Sequence, residues 1–344
     1  MKAQAIPRSN LSPDVIDGAV LAHTLEAQEN HHRVIIPKGR ILSREDWRLV
    51  LQANPTELHI VRMELDEVHE DEAATELARM VAGEGIAMHG PTESQMRLSA
   101  GRNGILEIDV DRLNQLNGVP DLSIFTLFDG QLVSEGKTVA GVKVTPFVVP
   151  RSRLEQAKEI CSAGPVIRIL AFRPMRVAVL VRERLGARAR EKFQESIEMK
   201  VAWFGSTISS IEYVADDSEA VEACLTKLVR QADLVLTAGA NATDPLDPTL
   251  LALLRMGGRM EKQGAPAHPG SAVWLAYWEA VPIFGVAACG MFSKSTVLDL
   301  ILPRLFTGKR VTAEDFNRLG HGGLLSRDMS FRFPNYGISA TEDD

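Results

Sequence analysis

The residues best suited to chemistry lie in one segment, TAGANATDPLDP, at positions 237–248. Its small side chains let a ligand approach the backbone, and its hydroxyl and amide side chains supply neutral hydrogen-bonding groups. Two carboxylates, Asp244 and Asp247, stand just before a helical pattern that ends at Gly257. The candidate ligand-binding residues of this segment are Thr237, Gly239, Ala240, Asn241, Thr243 and Asp244.

Asp244 and Asp247 admit two interpretations. Two carboxylates at this spacing, beside backbone amides, could hold a hydrated Mg²⁺ ion that bridges to a phosphate, or could bind the ring nitrogens and hydroxyls of a heterocycle. On that interpretation both are metal ligands and catalytic residues. Both also precede proline, which is typical of an Asx–Pro turn at the start of a helix. The residue types alone leave both interpretations open.

Two further loops of small residues are expected at the same edge of the fold. HPGS at 268–271 predicts a turn, and AACGMFSKS at 287–295 precedes a predicted helix. The N-terminal amides of that helix are expected to be exposed and to suit an anionic group. The candidate binding residues in these loops are Pro269, Gly270, Ala288, Gly290 and Ser293.

The second half of the chain contains the elements that would position these loops. Apolar, strand-like runs at 175–181, 208–214, 233–239 and 281–286 alternate with helical periodicity. Such alternation predicts an α/β domain with a three-layer, mostly parallel sheet. In such folds ligands bind beyond the carboxyl ends of the strands. The segment at 237–248 follows the most apolar of these strands directly.

The first half has the pattern of an α+β region. From about 104 to 149, period-two alternation with glycine punctuation predicts a small antiparallel β module. The acid-rich stretch 64–76 opens a predicted helix. The apolar face of that helix is Ala74, Leu77, Ala78 and Val81. We expect a domain boundary between an N-terminal region at 1–170 and an α/β domain at 171–344.

The overall composition restricts the class of protein. The chain has 344 residues, of which 45% are hydrophobic and 24% charged, as is usual for a soluble globular protein. Its formal charge of -7 argues against nucleic acid as the main partner. No stretch approaches the roughly 18 apolar residues of a membrane span. Three scattered cysteines and the lack of a secretory signal predict a cytoplasmic protein without a disulfide framework.

One local excess of positive charge follows the first strand of the second half. The basic residues are Arg182, Arg184, Arg188, Arg190 and Lys192. They could attract an anion, although alternating arginines are more common on the solvated face of a helix.

Short motifs dispersed through the chain carry a resemblance to a known family. LAH at 21–23, KGR at 38–40, the acidic DEAA at 71–74, GRNG at 101–104, VKVTPF at 142–147 and LGHGGLL at 319–325 occur in the order found in molybdopterin-binding proteins. With the loops described above, the chain resembles the molybdopterin-binding domain shared by the MoeA/gephyrin and MogA proteins. The resemblance is closer to the molybdopterin-binding proteins that occur alone or joined to a molybdenum cofactor nucleotidyltransferase.

Two loops depart from the pattern of the catalytic members. Ala240 replaces the second glycine of the TGG-type loop, and Ala-Cys-Gly at 288–290 replaces a proline-glycine pair followed by Asn-Pro. The resemblance therefore implies pterin binding more strongly than molybdate insertion, and it leaves open whether the protein is an enzyme.

The resemblance implies a MogA-like fold and binding of molybdopterin or its nucleotide form during cofactor biosynthesis or handling. Gly239, Ala240 and the segment at Ser293 would hold the phosphate or nucleotide tail, and Thr237, Asp244 and Asp247 the pterin or Mg²⁺. Expected partners are a nucleotidyltransferase or a molybdoenzyme and a second copy of the chain, without membrane or nucleic acid. Two alternatives stay open: a metal-dependent nucleotide phosphohydrolase or transferase, and a non-enzymatic accessory or scaffold protein.

Overall fold

The computed structural model describes residues 1–29, 32–182, 185–239, 242–287, 290 and 292–336. Residue contacts divide the chain into two compact units. The first unit comprises Met1–Gly101, Glu107–Asp129 and Gly136–Ile169, and the second comprises Arg102–Leu106, Gly130–Glu135 and the chain from Leu170 onward. Across the described ranges, no helix combines the length and apolar character needed to cross a bilayer.

The chain up to Ala171 contains short strands and helices. The strands are β1 (Lys2–Pro7), β2 (Val20–Leu21), β3 (Leu25–Glu29), β4 (His32–Ile36), β5 (Glu57–Arg62), β6 (Glu67–His69), β7 (Ile86–Thr92), β8 (Gln95–Ala100), β9 (Gly104–Ile108), β10 (Leu122–Thr126), β11 (Leu132–Val133), β12 (Thr138–Val144), β13 (Val148–Pro150) and β14 (Ile167–Ala171). The helices are α1 (Pro13–Ile16), α2 (Trp47–Ala53), α3 (Glu70–Val81), α4 (Val110–Asn117) and α5 (Arg151–Ile160).

The first unit contains a four-stranded antiparallel sheet in the order β10-β12-β8-β7. This sheet begins at Ile86, earlier in the chain than the predicted module at 104–149. Strand β9, which lies within the predicted module, pairs with β11 and is not part of the four-stranded sheet. The turn between β7 and β8 places Glu93 and Ser94 at φ values of 48° and 63°. Two consecutive left-handed residues suit a tight hairpin, but the Asn-Gly type of signal is missing here, which is why the sequence pattern does not reveal this hairpin.

Helix α3 confirms the prediction from the acid-rich stretch. Glu70, Asp71 and Glu72 occupy its first turn, where negative charge complements the positive end of the helix dipole. The four residues of the predicted apolar face are fully buried: Ala74, Leu77, Ala78 and Val81.

The second unit is built on longer elements. Its strands are β15 (Arg176–Val181), β16 (Thr207–Tyr213), β17 (Leu234–Ala238), β18 (Arg259–Gln263), β19 (Trp274–Trp278) and β20 (Val281–Val286). Its helices are α6 (Ala187–Trp203), α7 (Ser218–Leu228), α8 (Pro248–Arg255), α9 (Val297–Phe306) and α10 (Ala313–Asn317).

These strands form one six-stranded sheet in the order β16-β15-β17-β20-β19-β18. The first four are mutually parallel, and β19 and β18 are added antiparallel. Apolar residues of α6 and α9 pack on one sheet face, and those of α7 and α8 pack on the other. The expected three-layer, mostly parallel sheet is therefore confirmed.

Candidate functional site

The carboxyl ends of β15 and β17 form a topological switch point. The two strands are parallel neighbours, with Val181 opposite Ala238. The chain leaves β15 toward α6 on one sheet face and leaves β17 toward α8 on the other face. A crevice opens where neighbouring parallel strands send their connections to opposite faces, and ligands of such folds bind there. The segment at 237–248 begins at this crevice.

Arg182 connects the two loops of the switch point. Its side chain is 8% exposed and forms ion pairs with Asp247 and Asp216. Nη2 also donates to the carbonyl of Gly239 at 2.6 Å. Because its charge is paired and its side chain buried, Arg182 acts as a structural tie for the loop after β17. Arg182 therefore differs from the arginines of α6, which are exposed to solvent.

Asp247 and Asp244 have different environments. Asp247 is 1% exposed and caps α8, because its Oδ1 accepts from the amide of Thr249 at 2.8 Å. Its Oδ2 is paired with Arg182. Asp244 is exposed and accepts from the amide of Leu246 at 2.9 Å, which makes a local Asx turn. The turn and cap interpretation thus describes both residues, and only Asp244 presents its carboxylate to solvent.

Buried polar atoms without a partner lie beside this loop. Within the described part of the chain, Oγ1 of Thr237, Oγ1 of Thr249 and Nε of Arg182 have no hydrogen-bond partner. Both threonines have zero exposed surface. Buried polar groups are rarely left unpaired, because each loses its bonds to water on burial. Their accumulation here indicates a place prepared for a polar ligand or for ordered water.

The same row of the sheet contains one more such atom. Thr237 lies opposite Gly285, and Gly285 lies opposite Trp274 across the next strand. The indole covers Gly285 so closely that a Cβ there would be 2.1 Å from Nε1. That Nε1 has no partner among the described residues either. The sequence pattern could not reveal this row, because it depends on register between strands that are distant in the chain.

The turn at Pro269 and Gly270 lies against the start of α9. The Pro269 carbonyl accepts from the amide of Val297 at 3.1 Å. Gly270 has φ +103°, and a Cβ there would come within 2.9 Å of the same amide nitrogen. Only glycine fits this close approach with that backbone conformation. The predicted turn therefore packs against the first residue of α9 and accepts a hydrogen bond from its amide.

The expectation of exposed amides at the start of α9 is wrong in detail. The helix begins at Val297, after Ser293, and its N-terminus is capped internally. Thr296 and Asp299 form a capping box, in which the amide of Thr296 donates to Asp299 Oδ2 at 2.9 Å. The amides that an anion would require are thus used within the protein. Donors for an anion must come from the preceding loop, where Ser293 is partly exposed.

A buried ionic network lies behind that loop, and the sequence pattern does not predict it. Lys200 of α6 forms an ion pair with Asp299, and both side chains have zero exposed surface. Lys200 Nζ also donates to the carbonyl of Ser293 at 2.7 Å. Tyr336 donates its hydroxyl to Asp299 Oδ1 at 2.8 Å. The only signal in the sequence is Thr296 three residues before Asp299, which is a capping pattern.

Burial changes the proton affinities of this network. Desolvation lowers the pKa of Lys200, an effect that the nearby Asp299 carboxylate opposes. Desolvation, then the charge of Asp299 and its hydrogen bond, raises the pKa of the Tyr336 hydroxyl well above its usual value. The network therefore holds Tyr336 protonated.

The structure places the predicted site residues as follows. Thr237, Gly239, Thr243, Asp244 and Asp247 lie at or just beyond the end of β17, and Gly290 and Ser293 lie beyond the end of its parallel neighbour β20. Pro269 and Gly270 contact the start of α9. The predicted residues Ala240, Asn241 and Ala288 lie outside the described residues. Within the described ranges, no group of three or more His, Cys, Asp or Glu side chains is arranged to hold a metal ion.

The solved structures similar to this chain include three proteins of molybdopterin or molybdenum cofactor biosynthesis. The molybdopterin biosynthesis enzyme MoaB of Thermus thermophilus is 19% identical, with 39% of this chain and 98% of that chain covered and a TM-score of 0.31. The molybdopterin biosynthesis protein MoeA of Pyrococcus horikoshii is 14% identical, with 63% and 74% covered and a TM-score of 0.27. A molybdenum cofactor biosynthesis protein of Pyrococcus furiosus is 16% identical, with 58% and 68% covered and a TM-score of 0.25.

No protein-family model and no curated protein matches the chain. All three superpositions have TM-scores below 0.5.

Proposed function

We propose that this protein binds molybdopterin or its nucleotide form at the switch point between β15 and β17. The observation that supports the proposal most directly is the pair of buried, unpartnered polar atoms there, Thr237 Oγ1 and Arg182 Nε. They lie beside a loop whose composition resembles that of molybdopterin-binding domains. A site for a small polar ligand needs a few fixed hydrogen-bonding groups, and Thr237 Oγ1 and Arg182 Nε are two such groups.

Each part of the ligand has a matching part of the site. Molybdopterin combines a fused pterin, a dithiolene and a phosphate. The hydroxyl of Thr237 can donate to or accept from a ring nitrogen of a pterin. The carboxylate of Asp244 can accept a hydrogen bond from the amino group of the pterin. The loop from Ser293 to Ser295, with Lys294, suits the phosphate. Gly239 lets the ligand approach the backbone.

The residues favour a site that binds molybdopterin without requiring a metal ion. Both oxygens of the Asp247 carboxylate are already used, by the amide of Thr249 and by Arg182. A Mg²⁺ ion shared between Asp244 and Asp247 would have to break that cap and that ion pair. We therefore assign Asp247 to positioning the loop and Asp244 to the ligand. Assistance in molybdate insertion is compatible with this arrangement, and it is secondary to binding.

Thr237→Val tests this proposal, because the substitution keeps the shape and removes only the hydroxyl. Removing an unpartnered buried polar group is expected to stabilise the free protein by about 1–3 kcal/mol. If the hydroxyl bonds the pterin, the same variant loses a comparable amount of binding energy, roughly a 5- to 150-fold weaker Kd. The measurements are urea unfolding and an anaerobic titration with molybdopterin followed by tryptophan fluorescence.

Thr307→Val is the matched control. Thr307 is 4% exposed, and its hydroxyl donates to the carbonyl of Arg304 at 2.7 Å. This variant should lose stability and keep the affinity for molybdopterin. A Thr237→Val protein that is more stable and binds as tightly as the unchanged protein would contradict a ligand role for Thr237.

A further inference from the structure

The buried network of Lys200, Asp299 and Tyr336 fixes the direction of one peptide bond in the loop before α9. The Ser293 carbonyl points inward, since it accepts from Lys200 Nζ at 2.7 Å. In a planar trans peptide the C=O and N–H bonds point in opposite directions. The amide of Lys294 is therefore directed away from Lys200, toward the outer side of the loop.

The backbone amide of Lys294 can donate a hydrogen bond to an anion, whereas the amides at the capped start of α9 are already used within the protein. The amides of Thr296 and Val297 donate to Asp299 and Pro269. Among the described residues, none accepts a hydrogen bond from the Lys294 amide. This part of the loop thus presents a backbone donor beside the ammonium group of its own side chain, which is exposed.

The local charge also favours an anion. Lys200 and Lys294 bring two positive charges toward the single carboxylate of Asp299, close enough that the Lys294 charge contributes to lowering the pKa of Lys200. Tyr336 adds a neutral hydroxyl and lies with its ring centroid 4.8 Å from Lys200 Nζ. Because Asp299 pairs with Lys200 inside the protein, the exposed Lys294 adds its positive charge on the outer side of the loop, where its amide also points.

We propose that Lys200 is a positioning residue, which holds the Ser293–Lys294 peptide so that the loop binds the phosphate of the ligand through an outward-facing amide. This inference rests on the proposed function, because it assigns the selectivity for phosphorylated over dephosphorylated molybdopterin to that loop. Lys200 touches no ligand atom, and it acts only through the Ser293 carbonyl and the Asp299 cap.

Lys200→Met tests the inference, with Ile197→Ala as the matched control. Both residues are buried on α6, at 0% and 3% exposure, so both variants lose core packing. Only Lys200→Met removes the bond to Ser293. The readout is the ratio of the Kd values for dephosphorylated and phosphorylated molybdopterin, measured at a temperature where all proteins are folded by circular dichroism.

We expect the unchanged protein and Ile197→Ala to prefer the phosphorylated form by at least tenfold, and Lys200→Met to bind both forms with Kd values within about threefold of each other. A Lys200→Met protein that retains the full preference would overturn the inference, and so would an unchanged protein with no preference.

Hydrogen exchange separates this inference from the proposed function. In the free protein, amide exchange in the peptide that covers residues 292–296 should be at least tenfold faster in Lys200→Met than in Ile197→Ala. Should the unchanged protein bind no molybdopterin, the proposed function fails, and with it the role in phosphate selectivity. Unchanged exchange in Lys200→Met would refute the positioning role itself. If Lys200→Met does not fold, Lys200→Arg replaces it, and its longer, planar group should also disturb the loop and reduce the preference.

Discussion

The two aspartates of the candidate loop illustrate how much a side chain's role depends on its neighbours. Asp244→Ala should change the free energy of unfolding by less than about 0.5 kcal/mol, because the carboxylate is exposed. Asp247→Ala removes a helix cap and leaves the buried Arg182 partly unpaired, at a cost of about 3–5 kcal/mol. Urea unfolding of both variants measures the difference. Equal losses would show that Asp244 is as structural as Asp247.

Tyr336 predicts a specific dependence of stability on alkaline pH. Its pKa is raised in the folded protein, so its contribution to stability is complete below the unfolded pKa of about 10 and is lost as the pH rises through the folded pKa. The Tyr336→Phe variant has no hydroxyl at this position and therefore lacks this pH-dependent contribution to stability. The free energy of unfolding should therefore fall more steeply above pH 10 in the unchanged protein than in Tyr336→Phe. Parallel pH profiles in urea unfolding would argue against a buried, protonated Tyr336.

At the level of secondary structure, the predictable elements are those with a local signal. The strands β15, β16, β17 and β20 and helix α3 follow from hydrophobic periodicity alone. The β7–β8 hairpin could not be predicted, because its turn uses Glu93 and Ser94 in a backbone conformation that neither residue type favours. The loop at 287–295 correctly precedes helix α9, but the exposed N-terminal amides expected there are absent among the described residues, because Thr296 and Asp299 cap the helix internally.

The strained turn at Glu93 gives a stability prediction. Asparagine tolerates left-handed φ values better than glutamate, as Asn54 does at the end of α2 with φ 51°. Glu93→Asn should therefore stabilise the protein by about 0.5–1 kcal/mol. Glu93→Ala keeps the Cβ and the strain, so it should give no such gain. Thermal unfolding of the two variants makes the comparison, and an equal gain from alanine would count against the backbone explanation.

For the molecule as a whole, the order of elements was predictable and the long-range contacts were not. The alternation of strands and helices gives the sheet of the second unit, and the rule for parallel sheets gives the edge where the site lies. The sequence does not reveal the tie from Arg182 to Gly239 and Asp247, or the pairing of Lys200 with Asp299 almost a hundred positions away. Both depend on which residues the completed fold brings together.

The motifs of the first half are likewise joined only in the folded chain. The amide of Gly39 donates to the carbonyl of Leu21 at 2.7 Å, and the amide of Glu70 donates to the carbonyl of Phe147 at 2.9 Å. His69 Nε2 also lies 2.7 Å from the carbonyl oxygen of Gly39, so the LAH, KGR, acid-rich and VKVTPF segments are joined to one another within the first unit. Their contacts through the backbone give a structural reason for these segments to occur together.

The central claim is that this protein holds molybdopterin, and the most direct test is its pterin content. The protein and its Asp244→Ala variant would be purified without oxygen from a host that makes molybdopterin, then denatured and oxidised to release the fluorescent pterin derivative. We expect nearly one pterin per chain in the unchanged protein and at least tenfold less in an equally stable Asp244→Ala variant. No pterin in either protein, together with no binding when molybdopterin is supplied in excess, would contradict the account.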